Sequence, residues 1–262
     1  MKVIKVDLPA DLEEIELHVL SDWHIGDSNH DAIHVEGVLD HIKKTPNAYC
    51  VLDGDLMDSA IAGSVGDSHN ACVSPMDQLK LCVKIFKPLA DAGKILAIVP
   101  GNHEKRVSRV TGIDTTAMMA SQLGLAHIYS STAVLLFIRF GHDERRKAEG
   151  RKIAYSAYIR HGSGGGGKRV GGKLNNLEDM ANIVDADIYC MGHTHQPAAF
   201  RKDYHRVSIE NSSVKCIERL FVNTASSLNF GGYGEEFGFS PASKINPVIF
   251  LCGTRKRAFV VV

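Results

Sequence analysis

Five short segments carry the residue types that do metal and phosphate chemistry. Ser21-Asp22-Trp23-His24 offers Asp22 and His24, and Gly54-Asp55-Leu56-Met57-Asp58 offers Asp55 and Asp58. Gly101-Asn102-His103-Glu104 adds Asn102, His103 and Glu104; Arg160-His161-Gly162 adds His161; Gly192-His193-Thr194-His195 adds His193 and His195. Carboxylate, imidazole and amide oxygen together suit divalent ions such as manganese, iron or zinc rather than a thiolate site. The chain holds 13 histidines, and neutral imidazole is the commonest metal ligand. One such segment arises by chance. Five in order, each closing an apolar run, point to a single metal site.

The elements that position them follow from hydrophobic periodicity. Apolar runs at 15–24, 48–58, 94–104 and 187–195 read as buried strands that empty into polar loops. Strand alternation is expected to put Asp22 and His24 on one side, and likewise His193 and His195. Helices are expected over 30–44, with Ile33, Val38, Leu39 and Ile42 inward, and from Ser74-Pro75 to Asp91, with Met76, Leu79, Val83 and Phe86 inward. Strand, helix, strand, helix, strand implies parallel βαβ units. Further on, a helix is expected at 113–123, then an antiparallel hairpin around a polar tip at 141–150, a helix near 174–184, and strands without a helix after Ala199. No linker or repeat interrupts the chain, which reads as one domain over residues 1–262. Open α/β sheets place ligands at strand carboxyl ends, where these segments lie.

In this order, D-x-H, G-D-x-x-D, G-N-H-[DE], H-G and G-H-x-H resemble the motifs of the calcineurin-like metallophosphoesterase superfamily. The match runs from Asp22 to His195 with no departure at a metal-binding position. The resemblance implies an α/β fold, a four-layer α/β/β/α sandwich of mixed sheets with a dimetal site at the strand carboxyl ends. It implies two divalent ions, manganese first, with iron, zinc, nickel or magnesium as alternatives. One ion would take Asp22, His24, Asp55 and His195, and the other Asp55, Asn102, His161 and His193, with Asp55 bridging. His103 takes the position of the catalytic histidine beside the leaving group, and Asp58 and Glu104 would orient ligands or His103. Two ions about 3.5–4 Å apart clamp a phosphate and supply a hydroxide that attacks phosphorus. General acid catalysis by His103 is worth ~10²–10⁴-fold.

The resemblance is strongest to the phosphodiesterase and repair-nuclease branch, so the expected substrate is a phosphoester, with DNA or RNA first and small nucleotides as the alternative. A non-catalytic scaffold also exists on this fold, as in a retromer subunit. Such scaffolds replace the histidine that stands here at 103. Substrate contacts are expected from the glycine-rich loop at 162–172, through Lys168 and Arg169, and from Lys105, Arg106 and Arg109 after G-N-H-E. Arg145 to Lys147 at the hairpin tip read as a solubilising turn.

Composition sets the remaining bounds. Thirty Lys and Arg balance thirty Asp and Glu, which excludes a protein that coats nucleic acid by charge alone. Six scattered cysteines without a C-x-x-C pair indicate a reducing compartment. The amino-terminal segment has acids where a signal peptide has its apolar stretch, and the apolar run at 133–138 is too short to span a bilayer. The expectation is a cytoplasmic protein without a membrane partner. The oligomeric state is left open, a homodimer included.

Overall fold

The computed structural model describes residues 1–61, 64, 72–144, 151–164 and 169–262. Lys168 and the hairpin tip at Arg145 to Lys147 lie outside the described residues.

Two mixed sheets face each other. The first has five strands in the order β11-β10-β2-β3-β4. Its centre is β2 (Glu14–Leu20), β3 (Ala48–Asp53) and β4 (Ile95–Val99), which run parallel as the βαβ pattern requires. α1 (Ala32–Lys44) and α2 (Pro75–Asp91) make the crossovers. β10 (Val248–Cys252) and β11 (Ala258–Val261) close the far edge in antiparallel pairing. The second sheet has six strands in the order β1-β5-β6-β7-β9-β8. These are β1 (Lys2–Asp7), β5 (Val134–Phe140), β6 (Ile153–Ile159), β7 (Ile188–Met191), β8 (Ala198–Ser208) and β9 (Ser213–Asn223). β5 and β6 form the expected antiparallel hairpin.

One continuous core joins the inner faces. Leu17 and Val19 of β2 belong to the same buried cluster as Val134, Leu136, Ile138 and Phe140, the inward-alternating residues of β5. β4 is buried at every residue, as expected of a strand covered on both faces. Phe86 of α2 stacks on Trp23 at 5.2 Å between ring centroids, anchoring that helix under the first ligand loop. A second cluster lies outside the six-stranded sheet, where Tyr189 and Phe221 stack at 4.8 Å beneath Leu177 of α5 (Val170–Glu178). The four layers are therefore helix, sheet, sheet, helix.

Several elements differ from expectation. α1 starts at Ala32 behind an Asp31 cap, so His30 precedes the helix, and Ile33 is exposed while Val35 and Ile42 are buried. In α2, Met76 is exposed and Gln78 is buried in its place, because its amide bonds backbone at Ser59 and Val73. α3 (Asn102–Thr111) was not legible, since only Val107 and Val110 are apolar and the helix is fixed through buried Glu104 instead. α4 (Thr115–Gln122) is the helix expected at 113–123. The segment near 174–184 divides into α5 and a 3-10 turn at Asp179–Asn182. A one-turn helix, α6 (Tyr233–Glu236), interrupts the strand-rich end.

Candidate metal centre

β2, β3 and β4 end at one edge of their sheet, and β6 and β7 end beside them in the other. The loops after these five strands bring all the predicted ligand positions together. Ligand atoms of Asp22, His24 and His195 lie within 4.8 Å of one another, and so do those of Asp55, His161 and His193. Asn102 Oδ1 reaches His193 Nδ1 at 2.6 Å. His161 Nε2 lies 3.0 Å from Asp55 Oδ2 and 3.9 Å from Asp22 Oδ1, which joins the two groups.

The convergence does not come from strand alternation. Asp22, His24, Asp55, His193 and His195 sit beyond their strands with φ of +56°, +46°, +48°, +70° and +55°. Left-handed backbone at a non-glycine residue costs roughly 1–3 kcal/mol and gathers at functional sites. Here each such residue turns the chain sharply, so that Asp22 and His24 share one group while His193 and His195 reach the two adjoining groups.

Close loop packing completes the geometry. A Cβ on Gly101 would lie 2.0 Å from Asp55 Oδ1, and one on Gly54 would lie 2.2 Å from Gly101 N, so both contacts require glycine. The buried Glu104 carboxylate accepts from the backbone N–H of Gly101, Asp55, Leu56 and Met57 at 2.8–3.0 Å. It clamps the loop that carries Asp55. Asp55 Oδ1 in turn accepts from His103 N at 2.8 Å. Asp22 accepts from Ser21 Oγ and from His193 N.

His103 stands beside the ligands. Its Nδ1 is 2.7 Å from the Asp58 carbonyl and 3.3 Å from Asp58 Oδ1. With Nδ1–H donated there, Nε2 is left facing the centre, 3.9 Å from Asp55 Oδ2. Asp58 also approaches His24 Nδ1 at 3.8 Å, so one carboxylate orients two imidazoles. Lys105 and Arg106 follow on the same helix, half-buried, and Arg106 has one buried guanidinium nitrogen without a hydrogen-bond partner among the described residues. Arg169 is exposed, just before α5.

The electrostatics favour a cation. Burial works against ionisation of Asp22 and Asp55. The histidines around them nevertheless hold both carboxyls below the usual range, His195 and His161 beside Asp22, and chiefly His161 beside Asp55. Burial disfavours charged His161 too, yet Asp55 and Asp22 raise its pKa well above the ordinary value. For His24 burial dominates and lowers the pKa. For His103 burial is outweighed by Asp58 and Asp55, and the pKa rises.

The residues fit a divalent ion on two structural grounds. His161 Nε2 is buried and has no hydrogen-bond partner among the described residues, although two carboxylates flank it. The Nε2 atoms of His24 and His195 face each other at 3.2 Å beside Asp22 Oδ1. Nitrogen lone pairs converging on carboxylate oxygen are the donor set of a borderline metal. Outer hydrogen bonds of the kind that orient ligands are also present: His161 Nδ1 meets the Asp53 carbonyl at 2.5 Å.

The family model for calcineurin-like phosphoesterases matches residues 16–197. The chain belongs to the calcineurin-like phosphoesterase family. The matched span contains every candidate ligand and His103, and the chain's fold of two mixed sheets with flanking helices is that of the family. No curated protein matches the chain. Solved structures similar to it include a conserved uncharacterized protein of Streptococcus pneumoniae described as a predicted phosphoesterase, at 14% identity, TM-score 0.37 and coverage of 95% of this chain and 99% of that one. A single mutant of Vps29 from Entamoeba histolytica matches at 14% identity and TM-score 0.41, with 94% and 90% covered. A metallophosphoesterase of Sphaerobacter thermophilus matches at 14% and 0.40, with 90% and 83% covered.

Some residues that build this phosphoesterase centre were not legible beforehand. Ser226 Oγ and Ser227 N both bond the Asp22 carbonyl at 3.0 Å. Asn223 Nδ2 bonds Thr194 Oγ1 and the Gln196 carbonyl, holding the His193–His195 loop. The only signal was the polar run after β9, and its residue types are not ligand types.

Proposed function

We propose that the chain is a metal-dependent phosphodiesterase with a dinuclear, manganese-type centre, and that nucleic acid is its leading substrate class. One observation carries the reading. Seven ligand-type side chains gather in two adjoining groups, and His103 stands next to them with Nε2 turned to the centre. Divalent ions there would offset charge on phosphoryl oxygens and lower the pKa of a water.

The chain's own residues supply the rest. Asp58 accepts from Nδ1–H of His103 and with Asp55 favours its imidazolium form, whose Nε2–H delivers a proton to the departing oxygen, an effect worth ~10²–10⁴-fold. Glu104 holds the Asp55 loop rigid. Arg106, half-buried on the helix that follows His103, adds positive charge beside the centre. Lys105 and Arg169 add positive charge for a longer anion. His103 argues against the non-catalytic scaffold reading.

A hydrolysis panel with manganese tests this, using Asp55→Asn as the blank. It compares a phosphate monoester, bis(p-nitrophenyl) phosphate, cyclic nucleotides, and single- and double-stranded DNA and RNA. Manganese-dependent cleavage of diesters and of a nucleic acid is expected. Cleavage of monoesters alone would remove the phosphodiesterase, and activity confined to small nucleotides would remove the nucleic-acid preference.

A further inference from the structure

We infer that the cavity on the far side of His161 is a second anion subsite, which holds a phosphate group of the substrate other than the one being cleaved. The inference rests on the phosphoesterase reading and narrows its substrate class to esters with at least two phosphates.

The cavity has a volume of about 320 Å³ and is lined by Lys105, Thr132, Tyr158, Arg160, His161 and Gly162. That is the small end of the range for ligand pockets, about 300–1,000 Å³. Lys105 comes from the first turn of α3, and Arg160 from the end of β6, where its backbone N–H bonds the Cys190 carbonyl. His161 forms the shared wall. Its ring nitrogen is turned to Asp55 and Asp22, so an anion in the cavity neighbours one at the metal centre.

The charge in this place is unbalanced. Lys105 is half-buried, and burial, then Arg160, then Arg109 all lower its pKa. Arg160, which shares the cavity, and Arg109, outside it, are therefore each close enough to repel Lys105. None of the three forms an ion pair with a carboxylate among the described residues, whereas Arg139, Lys202 and Arg219 each sit on one. Two acids lie near Lys105. Asp53 is fully buried and forms no ion pair with Lys105 among the described residues, and the Glu104 carboxylate is taken by four backbone N–H groups. Among the described residues Arg160 has one side-chain contact, a neutral one from Nη2 to Ser163 Oγ at 3.3 Å. Like charges crowded around a concave space raise the local potential for an anion, and a bound phosphate removes the repulsion. Arginine is suited to bidentate phosphate contact.

Two phosphates can be neighbours along a nucleic-acid strand or within a nucleoside polyphosphate. Calorimetric binding to the metal-loaded protein separates these sources. Thymidine 3′,5′-bisphosphate is compared with thymidine 5′-monophosphate, and ADP with AMP. At least one two-phosphate ligand is expected to bind tenfold or more tightly than its one-phosphate partner, and the tighter one identifies the spacing. Arg160→Ala should shrink that ratio roughly tenfold, the loss of one charge-assisted contact. Exposed Arg109→Ala should shrink it less, and this variant is safe for folding. In both variants the salt dependence of two-phosphate binding should weaken. Equal affinity for one- and two-phosphate ligands, or a ratio that survives both substitutions, refutes the subsite. Lack of hydrolysis of every ester in the panel would refute the catalytic reading without touching this binding result.

Discussion

Replacing Glu104 with glutamine tests whether the Asp55 loop is held by a buried carboxylate. Glu104 Oε2 accepts from Gly101 N and Asp55 N, and Oε1 from Leu56 N and Met57 N. Glutamine keeps one acceptor oxygen and turns the other into a donor. Two of the four bonds are lost, and two buried N–H groups then face an NH₂. Hydrogen bonds to charged groups are worth about 1.5–3 kcal/mol, so the direct loss is about 3–6 kcal/mol. Burial, and then the neighbouring Asp55 charge, raise the Glu104 pKa. Neutralising the residue relieves both effects and brings the net destabilisation toward roughly 2–4 kcal/mol. For a chain of this size each kcal/mol moves Tm by about 2–4 °C, so a fall of about 4–16 °C is expected in calorimetry of the metal-free protein. Metal affinity should fall as well, because Asp55 moves with its loop. A Glu104→Gln protein within 2 °C of the parent, by the same per-kcal/mol conversion, and with unchanged manganese binding would refute the clamp.

Four further outcomes follow from the geometry. Asp55→Asn should lose bound metal, measured by elemental analysis, together with hydrolysis. His103→Ala should retain metal and lose ~10²–10⁴-fold in kcat on an alkyl ester, with a smaller loss on a p-nitrophenyl ester whose leaving group needs no proton; full turnover on the alkyl ester would contradict the acid role. Gly101→Ala places a methyl 2.0 Å from Asp55 Oδ1, so metal titration should show weaker binding even where the circular dichroism is unchanged. His18 is buried, and burial lowers its pKa from 6.5 despite Glu16. Its folded pKa is below the unfolded one, so its contribution to stability is complete above about pH 6.5 and is lost as pH falls through the folded value; His18→Phe should flatten the acid limb of a Tm-against-pH curve.

The ligand segments were legible because metal chemistry restricts residue types so strongly. Asp, His and Asn at fixed spacing after apolar strands stand out from any background, and the strands themselves are marked by runs such as Ile95–Val99. α3 was hidden because its helix is fixed by Glu104 reaching across to another loop, not by an apolar stripe. Met76 and Gln78 exchanged places for a similar reason. Periodicity cannot show that a buried amide will find two backbone partners.

The sequence by itself determined the candidate donor set, the order of the strands that deliver it and the family to which the chain belongs, since all three depend on residue type and short spacing. Tertiary structure alone decided how the donors meet. Left-handed turns at five ligand positions, and the approach of Gly101 to Asp55, bring together residues as distant as Asp22 and His195. It also decided where charge collects, because Lys105 and Arg160 are 55 positions apart in the chain and share one cavity only once α3 and the end of β6 are packed against His161. Long-range proximity is set by how the two sheets close on their common core, and no local pattern encodes that.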